Sequence, residues 1–124
     1  MTFVPKVLLR RLYKKGSLKS HINGVAFELK NVLGPGIINK INFIKINNHI
    51  YNPQDIHIDT NDRIIYARDI SEENPIFIAF QQKGTLIMNG NNPLVNGINT
   101  IELELISREA GLINVNIQDN AIIN

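Results

Sequence analysis

The chain has 124 residues, with 13 Lys or Arg against 11 Asp or Glu, and neither Cys nor Trp. That length leaves room for a single domain, 1–124, around one modest core. The missing Cys excludes a disulfide scaffold, a cysteine nucleophile and any cysteine-ligated zinc or iron–sulfur centre.

Charge is unevenly spread. Residues 1–50 hold nine basic residues and one acid, Glu28, whereas 51–124 hold four basic and ten acidic residues. Either the fold has one positive and one negative surface, or the two halves interleave and the charges mix, as antiparallel sandwiches allow. The longest apolar run, Ile76–Phe80, is far short of the ~20 residues of a membrane-crossing helix. The opening Met1-Thr2-Phe3-Val4-Pro5-Lys6 lacks the apolar stretch of a signal peptide. A cytoplasmic protein is expected, with no membrane partner.

The first segment, Lys6–Lys15, fits two patterns. Val4, Leu8 and Leu12 suit a basic amphipathic helix, but we read a strand that continues through Gly16-Ser17-Leu18 as an extended edge. Asn23-Gly24 is a turn signal, followed by a half-buried strand in which Val25, Phe27 and Leu29 face inward and Glu28 and Lys30 outward. Leu33-Gly34-Pro35-Gly36 stops it, because Pro35 has no donor. Ile41–Ile46 is the next strand, and Asn47-Asn48 turns it into His49-Ile50-Tyr51.

Asn52-Pro53 is a break, after which Ile56–Asp59 and Arg63–Arg68 read as short strands. Ser71–Asn74 has the composition of one helical turn, stopped by Pro75. Ile76–Phe80 and Thr85–Met88 are strands separated by a loop at Gln81–Gly84. The last third is a hairpin: Ile101, Leu103 and Leu105 oppose Glu102 and Glu104, and Ile113, Val115 and Ile117 alternate with Asn114, Asn116 and Gln118. Ala121–Asn124 frays or pairs at an edge. Seven to nine short strands at this spacing predict an all-β, two-sheet antiparallel β-sandwich, with a small closed barrel as second choice.

Chemistry is sparse. His21, His49 and His57 match no metal-ligand spacing and are expected at surface or rim positions. Asp55, Asp59, Asp62 and Asp69 lie in or beside loops, as calcium ligands do, but without the glycine and terminal glutamate of an EF-hand. Gly34-Pro35-Gly36 lacks the Gly-Lys-Ser/Thr ending of a phosphate loop. No catalytic, cofactor-binding or metal residue is assigned, and no cofactor is expected. Arg10, Arg11, Lys14, Lys15 and Lys19 form a basic cluster able to meet an acidic protein surface, an anionic ligand or nucleic-acid phosphates. Glu102 and Glu104 are the candidate opposite-sign contacts.

Leu12-Tyr13-Lys14-Lys15-Gly16-Ser17-Leu18, the Phe27-x-Leu29-Lys30-Asn31 strand with its Gly/Pro turn, Asp69–Pro75 and Gly97-x-x-Thr100-Ile101-Glu102 together resemble a family of small archaeal proteins. Its members are often labelled hydroxymethylglutaryl-CoA reductase. The resemblance implies archaeal origin, a single β-domain and an accessory or partner relationship to such an enzyme. It does not imply the activity. Reductases proper are several times longer and use a Glu in an Asn/Gly-rich motif, a Lys and Asp pair, a His and a nicotinamide-binding domain. Here Glu73-Asn74 runs into Pro75, and no catalytic residue can be matched.

The sequence therefore favours a non-catalytic protein-interaction module, either an accessory subunit of a larger assembly or a self-associating oligomer. A nucleic-acid or anionic-ligand binder using the same basic residues is the second class. A small-substrate enzyme with an unrecognised pocket is the third.

Overall fold

A computed structural model describes residues 4–123. Ten strands form two antiparallel sheets: β1 (Lys19–His21), β2 (Gly24–Lys30), β3 (Gly36–Ile46), β4 (His49–Tyr51), β5 (Ile56–Asp59), β6 (Ile64–Tyr66), β7 (Ile76–Ile78), β8 (Lys83–Asn89), β9 (Asn99–Ser107) and β10 (Gly111–Asp119). One sheet has the order β1-β2-β8-β5-β6; the other has β10-β9-β3-β4, with β7 also paired to β3. The architecture is the expected sandwich, and the two sheets do not close into a barrel.

Alternation builds the core. Val25 and Phe27 of β2, Leu86 and Met88 of β8, and Ile56 and Ile58 of β5 line the inner face of one sheet. Ile41, Ile44 and Ile46 of β3 and Ile101, Leu103 and Leu105 of β9 line the other. Burying such side chains gains roughly 1.5–3 kcal/mol each, so the period-two pattern fixes which face turns in. β3 is longer than expected. It breaks register against β9 between Ile38 and Lys40 and again between Ile41 and Phe43, bulges that bend the strand and increase its twist.

Several expectations need correction. The strand expected at Arg63–Arg68 spans only Ile64–Tyr66, with Ala67–Asp69 a 3-10 turn, and that at Ile76–Phe80 ends at Ile78. Lys6–Lys15 is not a strand: Lys6–Leu9 is a short α-helix, α1, and Arg10–Leu12 a 3-10 turn. A strand would have put Arg10 and Lys14 on the same face as Leu8 and Leu12. The helical winding instead buries Leu9 and Tyr13, four apart, and leaves Lys6, Arg10 and Arg11 in water. Ser71–Asn74 is not helical but a bend closed by reciprocal backbone bonds between Ser71 and Asn74. Gln81–Gly84 is only partly loop, since β8 already begins at Lys83. The tail pairs at an edge: Ile122 bridges Lys19 of β1, tying the end of β10 to the opposite sheet.

Two polar groups hold the ends. Asn99 is fully buried; its Oδ1 accepts from Asn47 Nδ2 and Val95 N, and its Nδ2 donates to Val95 O and Gly97 O. Tyr51, whose hydroxyl donates to Asn91 O, has its pKa pushed up to about 12 by burial. Both fasten the 91–98 loop to the sheets.

Candidate functional site

The N-terminal segment crosses the open side of the sandwich and is pinned there at several points. Tyr13 bridges Leu29, and Lys14 N donates to Glu28 O. Ser17 Oγ donates to Lys14 O and accepts from Glu28 N. Tyr13 and Gly16 N donate to Asp119 Oδ2 at 2.7 and 2.8 Å. Burial opposes ionisation of Asp119, but these bonds and one from Asn120 N outweigh it and hold the carboxyl below its ordinary value.

This pinning builds a surface groove of about 790 Å³ between the segment, the β3–β4 turn and the β9–β10 hairpin. Arg10, Lys15 and Lys45 bring three cations to it, Glu102 one carboxylate, and Asn116 and Gln118 amides. Of the residues expected to interact, the structure brings together Arg10, Lys15 and Glu102. The others are elsewhere. Lys14 pairs with Glu28 at 3.6 Å, both side chains well exposed, a geometry worth little. Arg11 is exposed on the 3-10 turn, and Lys19 lies on β1 of the other sheet.

Glu102 and Glu104 are not free acids. Asn114 Nδ2 donates to Glu102 at 2.8 Å and to Glu104 at 3.2 Å, and Asn42 Nδ2 donates to Glu104 at 3.0 Å. Amide donors thus occupy carboxylate oxygens of both acids on this strand face. Lys45, missed in the sequence, stands in register with Glu102. Only strand pairing reveals that; the basic and acidic halves of the chain interleave here, and their charges mix.

The histidines sit apart from this groove. His49 packs edge-on against Tyr51 at 4.6 Å. His57 lies 5.9 Å from Tyr66, over which Arg68 stacks at 5.3 Å. Burial first, and then the charge of His21, lowers the His57 pKa against the opposing pull of Asp59. Among the described residues, no group of three or more His, Asp or Glu could hold a metal ion. Asp59 instead caps its own turn, accepting from Asn61 N.

A second concavity, about 310 Å³, lies between the sheets at the end formed by the 31–36, 79–83 and 107–111 connections. Leu29, Ile58, Leu86, Leu103, Leu105 and Ile113 line its interior. Protein interiors rarely keep voids larger than a water molecule. Gly84, opposite Leu29 in register, borders the concavity where Ile58 leaves no room for a side chain: a Cβ would come within 3.2 Å of Ile58 Cγ2.

Fold and site define an all-β sandwich domain with one cationic groove and one apolar cavity. Residues 8–122 match the family described as Hydroxymethylglutaryl-CoA reductase, N-terminal domain, and the chain belongs to that family. No curated protein sequence matches it. Among the described residues, no helix is long and apolar enough to cross a membrane.

Proposed function

We propose that this domain is a non-catalytic accessory module that binds an acidic protein surface, working beside a hydroxymethylglutaryl-CoA reductase. The observation that carries the proposal is the groove lined by Arg10, Lys15 and Lys45, with Glu102, which accepts from Asn114, as its one carboxylate. Complementary charge of this kind steers association and fixes register more than it adds affinity. The family description supports the choice of partner, because it names an N-terminal domain of hydroxymethylglutaryl-CoA reductase. An archaeal, cytoplasmic setting belongs to the same proposal, and self-association is the alternative assembly.

The test is co-purification with the reductase catalytic region, joined or separate, for the natural sequence and for an Arg10→Glu/Lys15→Glu variant. Loss of association in a variant that still unfolds cooperatively supports the reading. Association untouched by charge reversal removes the groove from it. Binding of single-stranded nucleic acid that falls steeply with salt would favour the phosphate-binding alternative.

A further inference from the structure

We propose that Asn96 is a site of spontaneous modification, at which the backbone nitrogen of Gly97 converts the side-chain amide to a succinimide that water opens to isoaspartate or aspartate. The isoaspartate form, with its longer backbone, releases the 91–98 loop from Asn99.

The step needs only water. The deprotonated nitrogen of Gly97 attacks Asn96 Cγ, and the new C–N bond forms as the Cγ–Nδ2 bond breaks. The proton lost from Gly97 N is matched by one gained at Nδ2, which leaves as ammonia. Water opening the ring at Cγ yields aspartate. Opening at the backbone carbonyl carbon yields isoaspartate, in which the chain runs through Cβ and Cγ.

The fold selects this asparagine. Asn-Gly occurs three times, at Asn23-Gly24, Asn89-Gly90 and Asn96-Gly97, and a glycine nitrogen is open to approach because no Cβ crowds it. Gly24 opens β2 and pairs with His21 on one side and Asn89 on the other. Gly90 N donates to Asn23 O at 2.8 Å, and the Asn89 amide stands beside His57 at the end of β8. Asn96 and Gly97, by contrast, lie exposed in a bend between β8 and β9. Among the described residues, neither the Asn96 side chain nor Gly97 N has a hydrogen-bond partner. A Cβ built on Gly97 would meet nothing within 4 Å, so the ring has room to form.

Position gives the conversion its effect. The buried Asn99 amide accepts from Val95 N and donates to Val95 O and Gly97 O, at 2.9, 3.0 and 3.3 Å. Asn96 is the link between those two anchors. Isoaspartate lengthens that link and adds a carboxylate, so the spacing that lets Val95 and Gly97 share one amide is lost.

Incubation of the full chain at mildly alkaline pH, followed by peptide mass mapping that separates isoaspartate from aspartate, tests the assignment. Asn96 should convert at least about tenfold faster than Asn23 or Asn89, the factor for first releasing a backbone hydrogen bond. In urea that unfolds the chain, the three rates should converge. As isoaspartate accumulates at Asn96, amide exchange at Val95 should rise. Asn96→Ser incubated alike, and freshly prepared Asn96→Asp with its charge on a normal backbone, should keep Val95 protected. Earlier conversion at Asn23 or Asn89, the same ranking in urea, or a protected Val95 amide after conversion would each overturn the proposal. None of these readouts depends on the reductase or on the groove.

Discussion

The phenol of Tyr13 donates to the carboxylate of Asp119 across 106 residues of sequence. That bond joins the start of the chain to the end of β10 and sets the position of Arg10 and Lys15 beside the hairpin. Burial, then the Asp119 bond and charge, raise the Tyr13 pKa far above the ordinary phenol value, so the proton stays on Tyr13 and the donor role is fixed.

Tyr13→Phe keeps the ring against Phe27, at 5.9 Å, and removes only the hydroxyl. It leaves a buried carboxylate one donor short, and the expected loss is about 1–3 kcal/mol. Urea unfolding measures it, and an unchanged midpoint at equal slope would show that the clasp does not stabilise the fold.

Asp119 makes the clasp acid-sensitive. Its folded pKa is lowered, so on acidification the unfolded chain binds the proton first. Its contribution is complete above the unfolded value of about 3.9 and is lost as pH falls through it toward the lower folded value. Asp119→Asn should be less stable at neutral pH and should flatten stability against pH in that acid window. Thermal melts at a series of pH values test both statements.

Asn99→Ala should cost about 2–4 kcal/mol, because Val95 N, Asn47 Nδ2 and two carbonyls lose a buried partner together. Hydrogen exchange should rise first in the 91–98 loop. Exchange rising evenly over both sheets would instead mean that Asn99 holds the whole core.

Gly24 lies opposite Asn89, and a Cβ there would sit 1.9 Å from Met88 O. Backbone cannot yield as a flexible side chain does. Gly24→Ala should cost at least about 2 kcal/mol and loosen the β2–β8 ladder, read from amide exchange at Ala26 and Ile87. Full protection at both amides would show that the strands tolerate the displacement.

Much of the fold was written locally. Alternation along Gly24–Lys30, Ile56–Asp59 and the Asn99–Asp119 hairpin depends on each residue's own neighbours, and a period of two reports which face is buried whatever lies opposite. Asn23-Gly24 and Asn47-Asn48 mark turns for the same local reason. Lys6–Leu12 was ambiguous because its leucines satisfy both periods; only the position of the sandwich decided that Leu9 and Tyr13 would turn inward together.

The site was mostly illegible before folding. The basic cluster and the two glutamates announced themselves by composition, but composition could not say that Arg10, Lys15 and Glu102 share a groove while Lys14 and Lys19 do not. Nor could it pair Lys45 with Glu102 or Tyr13 with Asp119. The cavity is the extreme case. Leu29, Leu86, Leu103 and Ile113 each read as ordinary core residues, and the space among them exists only where the two sheets meet. Sequence by itself determined most of the strands, their buried faces and the sign of the exposed charges, all set by short-range chemistry. Tertiary structure alone decided which charges meet and where the core is left open, because both are distances between residues far apart in the chain.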